Sequence, residues 1–331
     1  MRLSAIIPVY NDARHLQVCL GALMAASRVP DQIIVVDDCS TDDSGRCARE
    51  LGAQVLVQAG GPRGPAWARN RGAEVATGDV LVFVDADVVA HADTIALLER
   101  YLTKEPEVAA VFGSYDLQPT GRGLVSRFKN LMHHYVHQHG QREAFTFWAG
   151  CGAMRRQVFE QLGGFDERYT HPSIEDIELG ARLCDAGLRV WLCPDVQVTH
   201  LKEWSFISLL RADIRDRAVP WSRLILRRGK LPNGLNVDMA SRQSALAAWV
   251  GLVSILLGFW FPWLWVVTLC AVFVLITRNA ALYRFFIQQG GIVLALVAAG
   301  LHTLYLLYSS AVFGGMLMLT RVEERRVDKS G

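Results

Sequence analysis

Two pairs of aspartates, each directly after a short β-branched segment, are the residues in this sequence best suited to bind a charged ligand. They are Asp37 with Asp38 and Asp85 with Asp87. Carboxylates that cluster at strand ends repel one another and lose hydration, so they need a cation or hydrogen-bond donors nearby. In an Asp-x-Asp loop, one carboxylate can face an oxygen-preferring cation such as Mg²⁺ or Mn²⁺, and the other a ligand hydroxyl. Either pair alone would suit a solvated turn that caps a helix, but two pairs at strand ends of one sheet favour a binding site.

The elements that must position these carboxylates alternate along the first part of the chain. β-branched runs predict strands, and the segments between them have helical patterns. The predicted strands are Ser4–Pro8, Ile33–Val36, Gln54–Val57, Val80–Val84 and Val108–Phe112, and the predicted helices are Ala13–Ala26, Ser44–Leu51, Ala66–Ala76 and Ala92–Leu102. This alternation predicts an α/β domain with βαβ units on a mainly parallel sheet. Ligands of such sheets bind beyond the carboxyl ends of the strands, where both aspartate pairs fall.

Charge divides the 331 residues into two different parts. Residues 1–200 hold 19 basic and 25 acidic side chains, whereas residues 201–331 hold 15 basic and 7 acidic ones. The overall composition, 51% apolar and 20% charged, excludes a disordered or fibrous chain. The seven cysteines form no CxxC pair, which is typical of reduced thiols in a cytosolic domain.

Five stretches of the sequence carry a specific resemblance to a known family. They are IIPVYND (6–12), VVDDCSTDDS (35–44), GPAWARNRGAEVATGDVLVFVDADV (64–88), FWAGCGAMRRQVFEQLGGFDERY (147–169) and IEDIELGARLCDAGLRVWLCPDVQVTH (174–200). In this order they resemble the family 2 glycosyltransferases, whose fold is GT-A, over residues 3 to 201. The resemblance implies a Rossmann-like catalytic domain at residues 1–203. It also implies inverting transfer of a sugar from a nucleotide-diphosphate sugar, and gives no reason to expect a nucleic-acid partner.

The same resemblance assigns roles on the donor side of the site. The residues that match nucleotide and donor contacts in the family are Pro8, Tyr10, Asp12, Asp38, Arg69, Asp85 and Asp87. Asp87 matches the aspartate that ligates Mg²⁺ or Mn²⁺, and His200 lies where many relatives carry a histidine near the metal or diphosphate. For Arg69 the alternative is an exposed helix residue, and for His200 it is a histidine with a structural role.

On the acceptor side the resemblance singles out a carboxylate as general base. Asp176 matches the base in the family's Glu-Asp motif. Glu175, which precedes it, is expected in the acceptor or sugar pocket, and the alternative for Glu175 is an ordinary acid at a helix N-terminus. Trp148 and Gly150 match a loop beside the donor sugar and acceptor, where small residues permit close backbone approach and an indole ring can stack on a sugar. A core position for Trp148 remains the alternative. The histidines at 133, 134, 137 and 139 lie in an amphipathic helical pattern and are expected to pack on the acceptor side rather than to bind Zn²⁺.

The second part of the chain has the pattern of a membrane protein. Residues 204–242 are rich in Arg, Trp and large apolar residues, which predicts basic interfacial helices at an anionic bilayer or, alternatively, a solvated charged helix. Charges are absent from residues 243–277 and from 285–320, and each run exceeds the roughly 20 residues that cross a bilayer. Gly258–Pro262 predicts a hairpin of two short spans in the first run. The second lacks a comparable breaker and predicts one span after an amphipathic approach at 279–289.

These patterns give three spans in residues 243–320 and a polar tail at 321–331, although even numbers of spans satisfy the positive-inside tendency better. We expect a protein of the inner membrane with a cytoplasmic catalytic domain. Its acceptor is expected to be a lipid or lipid-linked molecule held at the bilayer. The alternatives are a synthase that charges polyprenyl phosphate with a sugar and a non-catalytic membrane scaffold that binds nucleotide sugars.

Overall fold

A computed structural model describes residues 1–229 and 238–327 of the protein. Eight strands form one sheet with the order β3-β2-β1-β4-β7-β6-β8-β5. They are β1 (Leu3–Val9), β2 (Gln32–Asp37), β3 (Gln54–Val57), β4 (Val80–Val84), β5 (Val88–Ala90), β6 (Val108–Tyr115), β7 (Cys151–Arg155) and β8 (Arg189–His200). Only β7 and β5 run against the others. The predicted α/β fold with a mainly parallel sheet is therefore confirmed.

Helices cover both faces of this sheet because its strands are apolar on both sides. The helices of the α/β part are α1 (Ala13–Met24), α2 (Ser44–Glu50), α3 (Pro65–Val75), α4 (Thr94–Lys104), α5 (Leu124–Gln138), α6 (Arg156–Gln161) and α7 (Glu175–Asp185). One core joins α1 and α4 to the sheet through residues such as Leu20 and Leu98, and the other contains Phe83, Phe147 and Leu179. These two cores fix the strand ends that carry the acidic residues.

The chain divides into two compact units, and the boundary lies within α5. Unit 1 comprises Met1–Arg122 and Asn130–Glu203, and unit 2 comprises Gly123–Lys129 and everything from Trp204 onward. Unit 2 contains α8 (Phe206–Arg211), a π-helical segment (Ala212–Ala218), α9 (Val219–Arg228), α10 (Met239–Leu257), α11 (Leu264–Arg278) and α12 (Ala280–Val327). Lys230 and the rest of the segment up to residue 237 lie outside the described residues.

The first apolar run forms two helices, α10 and α11, that break between Gly258 and Trp263. Ser254 and Thr268 share a hydrogen bond of 2.9 Å, and Asn279 donates to Ser244 at 3.0 Å. Residues later in α10 thus face residues earlier in α11, so the pair is antiparallel.

The expectation that the second run lacks a breaker was wrong. Gly290 and Gly291 leave helical geometry, and Gly291 has a φ of 73°, which glycine adopts without strain. The break frees the Gln289 carbonyl, which accepts a hydrogen bond from Arg127 Nη2 at 2.7 Å. By length and composition, α10 and the portion of α12 up to Val322 are able to cross a membrane, whereas α11 is shorter. Of the basic residues in the tail, Arg321 is exposed, and the others lie beyond the described side chains.

Candidate active site

A buried guanidinium links two of the predicted acidic positions. Arg69, on α3, is 4% exposed and pairs with Asp85 at 2.6 Å and with Glu175 at 2.8 Å. The alternative of an exposed helix residue is thereby excluded, because both of its terminal nitrogens bind carboxylates. Glu175 is also buried, and its second oxygen accepts the Ser173 N–H. The structure therefore places Arg69 and Glu175 as a framework between the ends of β4 and the start of α7.

The charges of this framework depend on one another. Burial, followed by repulsion from Asp87, raises the pKa of Asp85 above its ordinary value, although Arg69 opposes the shift. Burial alone would lower the pKa of the Arg69 guanidinium, but Asp85 and Glu175 outweigh it and raise that pKa. Arg69 thus stays charged and holds a carboxylate at the mouth of the site.

Arg69→Met is expected to destabilise the protein by about 3–5 kcal/mol, because it leaves Asp85 and Glu175 buried without a counter-charge. The free energy of unfolding in urea, measured on the full chain in detergent, checks this. Arg71→Met is the control. Arg71 is half-buried and pairs with Glu74 on the same helix and with Glu167, and ion pairs of this exposure are each worth less than about 1 kcal/mol. If the two variants lost the same free energy of unfolding, the structural role assigned to the buried Arg69 ion pairs would be wrong.

The other aspartate of the loop, Asp87, faces His200. His200 Nε2 lies 3.4 Å from Asp87 Oδ2, and His200 Nδ1 lies 2.6 Å from Asn130 Oδ1. Burial would raise the pKa of Asp87, but its hydrogen bond with His200 and the charge of that imidazole lower it below its ordinary value. An ionised carboxylate oxygen and an imidazole nitrogen at this separation form a donor set that suits Mn²⁺, and Mg²⁺ less well. Among the described residues, no third His, Cys, Asp or Glu completes such a group.

A loop of small residues lies between the β4 aspartates and Asp176. The Asp85 N–H donates to the Gly150 carbonyl at 3.2 Å, and the Ala149 N–H donates to Asp176 Oδ2 at the same distance. A Cβ on Gly150 would lie 2.6 Å from the Trp148 indole, so only glycine fits there. The Trp148–Gly150 loop therefore spaces the metal-side carboxylates from the predicted base.

Helix α7 carries Asp176 and packs on this loop through a glycine one turn later. A Cβ on Gly180 would lie 2.1 Å from the Phe147 backbone nitrogen, and backbone atoms cannot rotate away as a side chain can. This close approach sets the distance between α7 and the loop.

Gly180→Ala is expected to cost about 1–3 kcal/mol of stability through overpacking and to displace Asp176. Thermal unfolding and turnover of the same preparation check both effects. Gly21→Ala is the control because Gly21 is also helical, but a Cβ there meets nothing within 4 Å. The Gly21→Ala substitution should leave the stability of the protein unchanged or raise it slightly. A Gly180→Ala protein as stable and active as the control would refute the tight fit.

Trp148 belongs to an aromatic cluster and is half-buried. Its ring lies 4.9 Å from Tyr115 and 5.0 Å from His133, and Tyr115 stacks on His200 at 4.4 Å. The indole thus has both a packed face and an exposed part. Stacking on a sugar remains a prediction.

Three of the four predicted histidines lie on α5 and pack, whereas His139 follows the helix and is exposed. Their place on the acceptor side remains a prediction. His134 and His137 are buried, and their Nδ1 atoms bond the β6 carbonyls of Tyr115 and Gly113 at 2.6 and 3.0 Å. Asn130 lies on the same buried face, one turn before His134, and sequence reasoning did not single it out. The sequence did contain a signal for Asn130, because Asn130, His134 and His137 are polar residues on one buried face of the helix.

The β1 loop and Asp38 occupy the carboxyl edge of the first strands. Pro8 pairs with Val36 between β1 and β2, Tyr10 is 52% exposed, and Asp12 contacts His15. The carboxylate of Asp38 is buried. Its oxygens accept the N–H groups of Arg63 and Gly64, at 2.7 Å for the shorter bond to Gly64. In this structure Asp38 thus organises the glycine-containing turn before α3, and its contact with a nucleotide base remains a prediction.

Two family models match this part of the chain. Glycosyl transferase family 2 matches residues 4–163, and the N-terminal domain of galactosyltransferase matches residues 129–204. The O-antigen chain rhamnosyltransferase RfbN of Salmonella typhimurium is 28% identical over 60% of this chain and 66% of its own length. The pre-mycofactocin glycosyltransferase of Mycobacterium tuberculosis is 30% identical over 61% of this chain and 44% of its own length. The chain therefore spans about half to two thirds of the length of these relatives.

Solved structures with similar architecture include mannosyltransferase PcManGT from Pyrobaculum calidifontis, in complex with GDP-Man and Mn²⁺. Its TM-score is 0.58 at 20% identity, over 94% of this chain and 86% of that chain. TarS 1–349 of S. aureus, in complex with UDP-GlcNAc, has a TM-score of 0.50 at 20% identity, over 62% of this chain and 60% of that chain. At this identity the likeness concerns the fold alone.

The sheet order, the acidic ends of its strands and these similar architectures define a GT-A-type fold. Its C-terminal apolar helices are candidate membrane spans. The sequence matches then specify the family of the α/β part: residues 4–163 match glycosyltransferase family 2. The resemblance stated from the sequence motifs is thus confirmed.

Proposed function

We propose that this protein is a membrane-anchored inverting glycosyltransferase that moves a sugar from a nucleotide-diphosphate sugar to a lipid or lipid-linked acceptor. The observation that carries the proposal is the arrangement around the Trp148–Gly150 loop, which contacts Asp85 on one side and Asp176 on the other. Two carboxylate groups on opposite sides of a small-residue loop suit a reaction that needs a charged leaving group on one side and a base on the other.

On the donor side, Asp87 and His200 are the residues that would hold a divalent cation. Such a cation would spread the negative charge of the leaving diphosphate. Asp87 and His200 supply one oxygen and one nitrogen, and they leave the remaining ligand positions to the donor. Arg69 and Asp85 keep the loop in place, since their ion pair ties β4 to α3.

On the acceptor side, Asp176 is the proposed general base. Its Oδ2 is held by the Ala149 N–H, and its side chain is only partly buried, so it remains accessible to an acceptor hydroxyl. A hydroxyl within hydrogen-bond distance would lose its proton to this carboxylate as it attacks the anomeric carbon. Attack from the side opposite the diphosphate inverts the configuration.

The lipid part of the proposal comes from unit 2. Five exposed arginines lie on α8, the π-helical segment and α9, and they are Arg211, Arg215, Arg217, Arg223 and Arg227. Phe206 and Ile207 on α8 are 45% and 71% exposed, and two later helices are long and apolar enough to span a bilayer. Exposed apolar and cationic side chains together suit an anionic bilayer surface. They support a protein of the inner membrane whose catalytic domain faces the cytoplasm.

The proposal is tested by release of nucleoside diphosphate from a panel of UDP-, GDP- and dTDP-sugars. Membranes containing the protein are supplied with Mn²⁺ and extracted lipid, and each component is omitted in turn. Turnover of one donor that requires both additions supports a lipid-directed transferase. Donor binding with no turnover of any donor would favour the non-catalytic scaffold instead.

A further inference from the structure

The imidazole of His200 is held on three sides by groups of unit 1. Its Nδ1 lies 2.6 Å from Asn130 Oδ1, and its ring stacks on Tyr115 with an interplanar angle of 11°. Its Nε2 points at Asp87 Oδ2, 3.4 Å away. A ring fixed in this way cannot rotate to exchange its two nitrogens, so the partner of Nδ1 decides what Nε2 offers to Asp87.

The partner of Nδ1 in this structure is an amide oxygen, which can only accept. The proton of a neutral imidazole must then lie on Nδ1, and Nε2 carries a lone pair. A lone pair directed at an ionised carboxylate is unfavourable unless a cation or a proton lies between them. The space between His200 Nε2 and the Asp87 carboxylate is therefore suited to a cation that both groups contact.

Asn130 has little reason to be polar other than this contact. It is 2% exposed on α5, and its Nδ2 has no hydrogen-bond partner among the described residues. A buried donor without a partner is costly. A leucine of similar size would avoid that cost, so the contact between Oδ1 and His200 is the feature that the buried amide preserves.

We propose that Asn130 is a positioning residue for a divalent cation at Asp87 and His200. Its Oδ1 accepts the Nδ1–H of His200 and so keeps Nε2 directed at the cation beside Asp87. This inference rests on the proposed metal dependence of the transferase. Hydrogen bonds of this type to metal-binding histidines change metal affinity by about 10- to 100-fold.

The test compares Mn²⁺ binding by full-length wild type and variants in detergent at one fixed pH. Mn²⁺ is added alone and with UDP or GDP. Asn130→Leu removes the acceptor, and we expect about 10- to 100-fold weaker binding. Asn130→Asp keeps an acceptor for Nδ1–H, so we expect affinity near that of wild type. Gln138→Leu is the control, because Gln138 is on the same helix and bonds the Pro194 carbonyl at 2.8 Å instead of His200.

Two spectroscopic readouts separate positioning from a general loss of structure. In pulsed EPR of bound Mn²⁺, we expect a nitrogen coupling that His200→Gln abolishes, Asn130→Leu weakens and Gln138→Leu leaves intact. Nitrogen NMR of the metal-free wild type should show a proton on His200 Nδ1, the nitrogen that faces the Asn130 oxygen. This second measurement needs no variant, so it holds even if Asn130→Leu fails to fold.

Three results would overturn the inference. The first is Asn130→Leu with wild-type Mn²⁺ affinity and coupling. The second is an Nδ1 without a proton, or loss of binding in Asn130→Asp together with Asn130→Leu, because the amide would then donate to His200. In both cases, loss of Mn²⁺ binding in Asp87→Ala would still support the proposed metal-dependent function, because only the role of Asn130 would be wrong. The third is wild type that binds no more Mn²⁺ than Asp87→Ala, which removes the metal site and both proposals with it.

Discussion

Asp87→Ala is expected to lower donor turnover by about 10³-fold or more. Among the described residues this carboxylate is the one ionised ligand proposed for the cation, and charge stabilisation of this kind is worth several kcal/mol in the transition state. Release of nucleoside diphosphate from the active donor, measured across a range of Mn²⁺ concentrations, checks the prediction. A higher Mn²⁺ requirement in a milder Asp87→Asn variant would show that the loss concerns the cation.

Asp93→Ala is the matched control for this experiment. Asp93 also follows a short strand, it is exposed, and its side chain makes no capping hydrogen bond to α4. We expect turnover close to that of wild type, because surface substitutions of this kind rarely change stability by more than about 0.5 kcal/mol. If Asp87→Ala were as active as Asp93→Ala, the assignment of Asp87 would be wrong.

Asp176→Asn is expected to lower transfer to a hydroxyl acceptor by about 10²- to 10⁴-fold, the usual contribution of a general base. The amide keeps the size of the carboxylate and its contact with the Ala149 N–H, so donor affinity should be unchanged. The measurement is turnover at saturating donor, together with the donor's dissociation constant.

Glu178→Gln controls for the loss of a negative charge on α7. Glu178 pairs with Arg182 at 2.8 Å on the same helix, so its neutralisation should leave turnover near wild type. A strong loss in Asp176→Asn alone supports the base. A mild loss would contradict it and would indicate a phosphate acceptor, as in a polyprenyl-phosphate sugar synthase, because a phosphate oxygen needs little help from a base.

Much of the fold could be predicted from the local sequence because its strands are short, β-branched and separated by clear helical patterns. The predicted Gln54–Val57 and Val80–Val84 have the observed bounds, and β1 extends one residue beyond each end of the predicted Ser4–Pro8. The antiparallel strand β7, with the sequence CGAMR, lacks both β-branched residues and alternation. Its insertion between β4 and β6 comes from the tertiary fold, which no local pattern reports.

The site could be predicted only where a motif marks a residue. The pairing of Arg69 with Glu175 joins residues 106 positions apart, and its burial follows from how α3 and α7 pack on the sheet. Asn130 belongs to no motif, and its contact with His200 crosses 70 positions. The helix break at Gly290 and Gly291 was overlooked because hydropathy stays high through two glycines that a helix tolerates poorly.

The most direct test of the central claim follows a labelled sugar from the active donor into product. Purified protein is incubated with that donor, Mn²⁺ and extracted lipid, the lipid phase is separated, and the anomeric configuration of the new bond is determined by NMR. We expect Mn²⁺-dependent transfer of the sugar into the lipid phase with the configuration opposite to that of the donor, and none with Asp87→Ala. A product of retained configuration, or label released only into water, would contradict a lipid-directed inverting transferase.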